Sequence, residues 1–169
     1  RASKPASRRD VQRNQMIAVE EGGSQLPTIS IVTPTLNQVD YLEETLRSIH
    51  EQDYPHLQHI VVDGGSDDGT VQLLKSWNSR LSWWVSEPDR GQAHALNKGF
   101  AKATGDVCAY LNSDDYYLPG ARNSVGEYFR GNATVDIVHG RCNIVDAQGS
   151  FVRYYFSDIS HYAQILDLW

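Results

Sequence analysis

The sequence predicts an α/β fold in which a mostly parallel sheet is flanked by helices and an antiparallel hairpin lies near the C-terminus. Short β-branched or apolar runs alternate with segments of helical periodicity from residue 28 to about residue 129, which is typical of a parallel sheet. Two further runs, separated by a turn that contains glycine, predict the hairpin. With 169 residues, 40% of them hydrophobic, the chain is long enough for one domain with a core.

The predicted elements follow one another regularly along the chain. Strands are predicted at 28–33, 57–62, 81–85, 107–111 and 135–139, and the hairpin at 143–145 and 151–156 around a turn at 146–149. The loop 34–37 leads to a first helix that ends near residue 52, with Leu42, Leu46 and Ile49 on one face and capping-box spacing at Asp40 and Glu43. Further helices are predicted at 71–77, at 93–103 and from Pro119, and helical patterning resumes at 159–169.

The charge is distributed unevenly. Residues 1–13 carry five basic side chains and one acid, whereas the whole chain has a net charge of −6. We expect residues 1–27 to be a flexible basic leader or linker, and residues 28–169 to be one domain, truncated on its C-terminal side. The acidic body argues against nucleic acid as a partner, and the basic head could make a peripheral contact with an anionic membrane.

Cysteine usage and hydropathy predict the cellular compartment. The chain has two cysteines, which form neither a disulfide framework nor a zinc pattern. Cys108 lies within the apolar run 107–111, where we expect a buried thiol that packs as a small hydrophobe. No apolar run approaches the ~20 residues of a membrane span. We therefore expect a cytoplasmic protein, which could work at the inner face of a membrane.

The run 107–111 ends abruptly in an amide and two adjacent acids, Asp114 and Asp115. We predict a buried strand here, with the acids at its carboxyl end, where ligands bind in open α/β sheets. Neighbouring carboxylates repel each other unless a cation neutralises them, and their hard oxygens suit Mg²⁺ or Mn²⁺. The alternative is that the acids begin a turn or cap the helix near Pro119.

Polar clusters follow strands or open helices at four places, namely 33–37, 63–66, 87–98 and 112–115. Each cluster alone could have a local structural role in a loop, a turn or a solvated helix face. Together they would meet at one crevice of one sheet, which favours a shared binding site.

These clusters together resemble the family-2 glycosyltransferases, which are inverting nucleotide-sugar enzymes of GT-A fold. The resemblance rests on IVTPTLN at 31–37, VVDGGSDDGT at 61–70, SEPDRGQ at 86–92, NKG at 97–99 and LNSDD at 111–115. It spans about residues 28–156, and the order and spacing of the motifs make it specific. It implies a GT-A, Rossmann-like sheet.

The resemblance also implies the roles of individual residues. Nucleotide-binding roles are implied for Thr33, Pro34, Thr35, Asn37, Asp63, Gly65, Ser66, Arg90, Asn97, Lys98, Asn112, Ser113 and Asp114, and metal-binding roles for Asp114 and Asp115. Asp63 matches the aspartate that accepts a hydrogen bond from the base, and uracil has a ring N–H to donate. Asn112 stands where the family has the first acid of its Asp-x-Asp motif, so it supplies no charge, and which neighbouring acid binds the metal stays open.

The resemblance implies an enzyme that transfers a sugar from a nucleotide-diphosphate sugar, which we expect to be a UDP-sugar, to a hydroxyl-bearing glycan or lipid-linked acceptor. The family's catalytic base lies beyond the hairpin, where Asp158 and Asp167 are acids without a recognisable motif. One alternative is a binding or scaffold module that keeps the fold without turnover. A nucleotidyltransferase is a third hypothesis, and the absence of a Gly-rich basic loop after the first strand counts against it.

Overall fold

The computed structural model describes residues 25–155. Its elements are β1 (Ile29–Thr35), α1 (Val39–His50), β2 (Leu57–Asp63), α2 (Thr70–Trp77), β3 (Trp83–Ser86), α3 (Gln92–Phe100), β4 (Val107–Tyr110), α4 (Ala121–Gly131), β5 (Cys142–Val145) and β6 (Phe151–Tyr155). The chain divides into two compact units, Arg1–Ala133 and Thr134–Trp169. Each unit is described here by itself.

A four-stranded parallel sheet in the order β3-β2-β1-β4 forms the first unit. The strand β1 pairs on both sides, which explains why all seven of its residues are buried. The helices that connect the strands cover both faces, as parallel crossovers require. The predicted α/β class and its parallel sheet are therefore confirmed.

Apolar side chains on both faces of the sheet bind the helices to it. One face packs against α3, through the cluster Val32, Ile60, Val62, Ala95 and Leu96. The other face packs against α1, α2 and α4 through two clusters, the first of Leu42, Leu46, Val61, Leu74, Trp77 and Leu81, and the second of Ile29, Ile31, Ile49, Tyr54 and Leu111 with Val125 against it. The predicted apolar face of α1 is thus confirmed.

Two helical glycines allow close packing. A Cβ on Gly99 of α3 would lie 2.3 Å from Cγ1 of Val32, and a Cβ on Gly126 of α4 would lie 2.4 Å from Oη of Tyr54. Tyr54 is itself held, because its hydroxyl donates a hydrogen bond to the carbonyl of Pro27 at 2.6 Å. The absence of side chains at these glycines therefore sets how closely α3 and α4 approach the core.

The prediction of a buried strand at 107–111 is wrong in one respect. Among residues 25–155, β4 pairs with β1 on one side and is an edge strand. Cys108 and Tyr110 are exposed, so Cys108 does not pack as a buried hydrophobe. An apolar run shows that a strand forms, but it does not show on which side the strand has a neighbour.

Several element boundaries also differ from the predictions. No strand forms at 135–139, where Ile137 is 49% exposed and no described strand provides a ladder. Pro34 and Thr35 belong to β1 rather than to a loop, because they pair with the last two residues of β2. The helices α3 and α4 run at 92–100 and 121–131, close to their predicted positions.

The predicted capping box at Asp40 and Glu43 is wrong. The N-cap of α1 is Gln38, which makes no side-chain cap. Instead, Asp68 of the β2–α2 loop accepts a hydrogen bond from the Val39 amide at 2.9 Å, and Thr70 accepts one from the Gln38 amide. Hydrogen bonds lower the pKa of Asp68, and the bond from the Val39 amide has the largest effect, ahead of the bond from the Thr70 side chain. The first turn of α1 is thus capped from a distant loop, which favours the charged carboxylate there.

The second unit contains the predicted hairpin, with β5 and β6 antiparallel. Oδ1 of Asp146 accepts hydrogen bonds from the amides of Gln148 and Ser150, both at 2.9 Å, and Gly149 has a φ of +77°. The glycine-containing turn therefore forms where the sequence predicted it, and Asp146 stabilises it. Phe156, residues 1–24 of the predicted leader and the helical pattern at 159–169 lie outside the described residues.

Residues 25–27 are the last three of the predicted leader 1–27, and two of them contact the core of the first unit. Leu26 lies against the cluster that contains Ile29 and Ile49, and the Pro27 carbonyl binds Tyr54. Among the described residues, no helix is both long and apolar enough to cross a bilayer.

Candidate functional site

The loops after β1, β2, β3 and β4 lie at the carboxyl edge of the sheet, which is the edge where all four parallel strands end. The strands β2 and β4 lie on either side of β1 and are about 10 Å apart, which is two strand spacings. This edge is where open α/β sheets bind ligands. The four polar clusters predicted to meet are therefore brought to the same edge.

Asp63, at the end of β2, is fully buried and holds two of these loops together. Its Oδ2 accepts hydrogen bonds from the Ser66 amide at 3.0 Å and from the Ser86 hydroxyl at 2.5 Å. Its Oδ1 accepts a hydrogen bond from the Ser66 hydroxyl. A nucleotide base could bond this carboxylate only if a serine moved or shared its acceptor, so base recognition by Asp63 stays a prediction.

The loop after β1 is hydrogen-bonded to the loop after β2. Asn37 has a φ of +52°. Its backbone N–H donates to the Ser66 hydroxyl at 2.7 Å, and its side-chain Oδ1 accepts from the backbone N–H of Asp67 at 3.0 Å. The Gly64 amide donates to the Thr35 carbonyl at 2.9 Å. Asparagine tolerates the left-handed region better than most residues. Asn37 is thus both a turn residue and a bridge between the two loops.

The loop after β3 packs against the same place. A Cβ on Gly65, whose φ is +92°, would lie 3.3 Å from the Pro88 nitrogen, and a Cβ on Gly64 would lie 3.3 Å from Oδ2 of Asp89. Oδ1 of Asp89 accepts a hydrogen bond from the Gly91 amide at 2.7 Å. The GG pair therefore gives the third loop room to approach.

The basic residues of the predicted set are placed differently from one another. Lys98, on α3, pairs with Glu87 at 2.9 Å, so its charge is already engaged. Arg90 is exposed at the start of α3, and its amide donates to Nδ1 of His94 at 3.2 Å. Asn97 is also exposed. Contacts of Arg90, Asn97 and Lys98 with a nucleotide stay predictions.

The acidic pair belongs to a hydrogen-bonded chain at the end of β4. Gln92 of α3 donates to Oδ1 of Asn112 at 2.6 Å, and Asn112 donates from its side-chain amide to Oδ2 of Asp115 at 3.1 Å. Asp114 and Asp115 are exposed, whereas Ser113 is buried. An asparagine fits here because it can donate to Asp115, which a carboxylate in its place could not do.

A divalent ion would find part of a coordination shell at this loop. Within residues 25–155, no group of three or more His, Cys, Asp or Glu side chains is arranged to hold a metal. Two exposed carboxylates nevertheless fit Mg²⁺ or Mn²⁺, which commonly take one or two carboxylates and complete the shell with phosphate oxygens and water. The donor set of Asp114 and Asp115 therefore suits an ion that arrives with a diphosphate.

The threonines of β1 face the interior. Thr33 is fully buried, and its Oγ1 lies 3.0 Å from Nε2 of His59, so the side chain has no exposed surface with which to contact a nucleotide. Thr35 is buried at the end of the strand, and within the described residues its hydroxyl has no hydrogen-bond partner. Pro34 is buried beside them. Their roles in nucleotide binding stay predictions.

A pair of histidines lies behind Thr33. Nδ1 of His59 lies 2.9 Å from Nε2 of His50. Burial, followed by the charges of Arg122 and Arg80, lowers the pKa of His50 to about 4. Burial also holds the pKa of His59 well below its usual value, with His50 and Arg122 adding to the effect. Both rings are therefore neutral at pH 7.

Three residues that contribute to this edge were not assigned to the site from the sequence. Ser86 and Gln92 lie within the quoted SEPDRGQ motif, so the motif itself could have indicated them. Thr45 of α1 donates to backbone carbonyls of the acidic loop, about 70 residues away in sequence. No local pattern indicates such a contact.

The parallel sheet, with polar loops at the carboxyl ends of its strands, first defines the class of the protein, which is that of α/β proteins that bind ligands at this end of the sheet. Comparison with known families is more specific. The model of the family described as Glycosyl transferase family 2 matches residues 30–165. The chain belongs to this family, as the motifs in the sequence predicted.

Solved structures and one curated relative agree with this assignment. Mannosyltransferase PcManGT from Pyrobaculum calidifontis, in complex with GDP-Man and Mn²⁺, is 31% identical, with a TM-score of 0.57 over 74% of this chain and 37% of that one. S. aureus TarS 1–349, in complex with UDP-GlcNAc, is 25% identical, with a TM-score of 0.56 over 60% and 31%. The glycosyltransferase Rv1514c of Mycobacterium tuberculosis, itself uncharacterized, is 40% identical over 92 residues.

These similarities support the predicted GT-A fold. The alignment with Rv1514c covers 54% of this chain and 35% of that protein. The chain therefore spans about a third of the length of that relative.

Proposed function

We propose that this chain is the donor-binding part of an inverting glycosyltransferase that uses a UDP-sugar and a divalent ion. The observation that carries the proposal is the meeting of four loops at one sheet edge, with Asp63 on one side of β1 and the pair Asp114 and Asp115 on the other. The similarity to proteins solved with UDP-GlcNAc or with GDP-Man and Mn²⁺ supports a nucleotide-sugar ligand.

In this proposal, the base and ribose bind beside the loops after β1 and β2. Asn37 and Ser66 are already joined there, and the buried hydroxyl of Thr35 has hydrogen-bonding capacity that a ligand could use. Asp63 holds Ser66 and Ser86 in place and accepts from the uracil ring N–H when a base displaces one of these donors. The diphosphate then extends across β1 towards the acidic pair.

The acidic pair would hold the divalent ion against the diphosphate, with Asn112 orienting Asp115 through its amide. When bound, such an ion supplies electrostatic stabilisation of the charge on the leaving nucleoside diphosphate. The acceptor hydroxyl attacks the anomeric carbon from the opposite face, the bond from that carbon to the diphosphate oxygen breaks, and a general base takes the hydroxyl proton. The attack from the opposite face inverts the configuration.

The acceptor is proposed to be a hydroxyl-bearing glycan or lipid-linked glycan. The general base is not assigned to any of the described residues. We propose that residues 28–169 form the donor side of a larger catalytic domain, and that residues 1–27 are a leader. The transfer itself would then require a longer protein.

Calorimetry with the 169-residue chain tests the donor site. We expect UDP to bind with Mn²⁺ and to bind much more weakly without it. Replacing Asp114 or Asp115 with Asn should remove the effect of Mn²⁺ on UDP affinity, because each change removes a charged ligand. GDP in place of UDP tests the choice of nucleotide.

Asp53→Asn is a matched control, because Asp53 is an exposed acid before β2, at the opposite edge of the sheet. It makes the same change in net charge, and it should leave UDP affinity unaltered. Equal binding of UDP with and without Mn²⁺ would contradict the metal site, and no binding would contradict the donor site.

A second candidate is a nucleotide-sugar-binding module without turnover. Asn112 favours it, since an amide replaces a charged residue at the first position of the acidic motif. Hydrolysis of a UDP-sugar by the chain, lost in Asp114→Asn, would exclude this candidate. This candidate would be supported if the chain, and a longer form of the protein, bind a UDP-sugar but neither hydrolyse it nor transfer its sugar.

A further inference from the structure

The loop that carries the acidic pair has few hydrogen bonds of its own. Between β4 and α4, the Asp115 amide donates to the Asn112 carbonyl at 3.2 Å, and the Ala121 amide donates to the Leu118 carbonyl at 3.1 Å. These two turns leave the middle of the loop without a regular backbone ladder. Another element must therefore set where Asp114 and Asp115 lie.

That element is α1 together with the segment just after it, through three polar side chains. The single proton of the Thr45 hydroxyl is shared between two acceptors, the carbonyls of Ser113 at 2.9 Å and Asp115 at 2.7 Å. The Tyr117 amide donates to the Ser48 hydroxyl at 3.1 Å. Gln52, just after the helix, accepts from the Arg122 amide at 3.2 Å.

The spacing of these side chains explains how one helix can hold the whole loop. Residues 45 and 48 stand at i and i+3, so they lie along one side of the helix, and Gln52 follows two residues after the helix ends. Leu46 and Ile49 are fully buried against the sheet and fix the orientation of the helix. The position of the acidic loop is therefore set by the packing of α1 on the sheet.

We propose that Thr45 is a positioning residue for the acidic pair, an inference that rests on the proposed function. The carbonyls that it binds belong to the peptide unit before Asp114 and to the peptide unit after Asp115. The hydroxyl thus fixes both ends of the two-residue segment whose carboxylates would hold the ion. Thr45 is 1% exposed, so water cannot replace this contact without rearrangement.

A buried hydroxyl can also serve stability alone, and Ser30 provides the comparison. It is fully buried, donates to Oε1 of Gln58 at 2.5 Å and accepts from the Gly105 amide at 2.8 Å. It lies near the start of β1, at the edge of the sheet opposite to the acidic loop. Ser30→Ala removes a similar number of hydrogen bonds far from the proposed site.

The experiment compares Thr45→Val, Thr45→Ser and Ser30→Ala in the 169-residue chain. We expect Thr45→Val to weaken UDP binding in the presence of Mn²⁺ by about 10- to 100-fold, the range seen when groups that orient metal ligands are removed. Binding of UDP without Mn²⁺ should not change. Thr45→Ser keeps the hydroxyl and should restore binding, and Ser30→Ala should bind as the wild type does.

Amide hydrogen exchange gives a readout that does not need the ligand. In Thr45→Val, we expect faster exchange at residues 113–117 than in the wild type, and no such local change in Ser30→Ala. If Thr45→Val lowers stability but leaves both Mn²⁺-dependent binding and exchange at 113–117 unaltered, the inference is overturned while the proposed function stands. If the wild type binds UDP equally with and without Mn²⁺, the proposed function fails and this inference fails with it.

Discussion

Replacing Gly126 with Ala tests how closely α4 packs on the core. The new Cβ would lie 2.4 Å from Oη, 2.5 Å from Cε2 and 2.8 Å from Cζ of Tyr54. Favourable contacts between heavy atoms lie at about 3.5–4.0 Å, so α4 or Tyr54 must shift by more than about 1 Å. Tyr54 is 6% exposed and is held by its hydrogen bond to Pro27, and Arg122 lies over its ring.

The expected magnitude follows from these contacts. Overpacking of a core costs about 1–3 kcal/mol, and breaking the bond between Tyr54 and Pro27 would add about 1 kcal/mol. The better helix propensity of Ala offsets about 0.5–1 kcal/mol of this. We therefore expect Gly126→Ala to lower the free energy of unfolding by about 1–3 kcal/mol.

Gly131 in the same helix is the matched control, because a Cβ there would meet nothing within 4 Å. Gly131→Ala should be neutral or stabilise the fold by up to about 1 kcal/mol. Urea unfolding followed by circular dichroism measures both variants. Equal stabilities for the two variants would refute the packing argument, since they make the same chemical change in one helix.

Three further predictions concern polar side chains. The pKa of His50 is about 4 in the folded state, against its usual value of 6.5 in the unfolded chain, so the folded state binds fewer protons between these pH values. The free energy of unfolding should therefore be highest above pH 6.5 and fall towards pH 4, by up to about 1.4 kcal/mol per pH unit for this histidine. Urea unfolding across this pH range should show a less steep fall in His50→Gln. Ser86→Ala leaves Asp63 with one donor fewer and should cost about 1.5–3 kcal/mol of stability, while Ser76→Ala, at an exposed hydroxyl on α2, should not. Asp68→Ala should loosen the first turn of α1, which faster amide exchange at Val39 would reveal and unchanged exchange would contradict.

The parallel sheet could be predicted from the sequence because its strands are short β-branched runs that end in polar residues. Ile60, Val61 and Val62 followed by Asp63 indicate both a buried strand and the edge at which it ends. The meeting of the polar clusters followed from that edge. Long-range pairing does not leave such a pattern, so neither the edge position of β4 nor the absence of a strand at 135–139 could be predicted.

The contacts of individual site residues were harder to predict than their location. The sequence places Asp63 and Lys98 near the crevice, but it does not reveal that Ser66 and Ser86 surround the first or that Glu87 pairs with the second. Such partners depend on which loops pack together in three dimensions. The hydroxyl of Thr45 is the extreme case, because helical periodicity assigns this position to one side of α1 without saying what lies opposite.

The helix α1 joins two of the loops at the proposed site, since Asp68 caps its first turn and Thr45 and Ser48 hold the acidic loop. A single inserted residue within this helix would rotate everything beyond it by about 100° and carry these anchors away from their partners. Protein engineers who recombine homologous chains should therefore transplant α1, the loop that caps it and the acidic loop as one inseparable block.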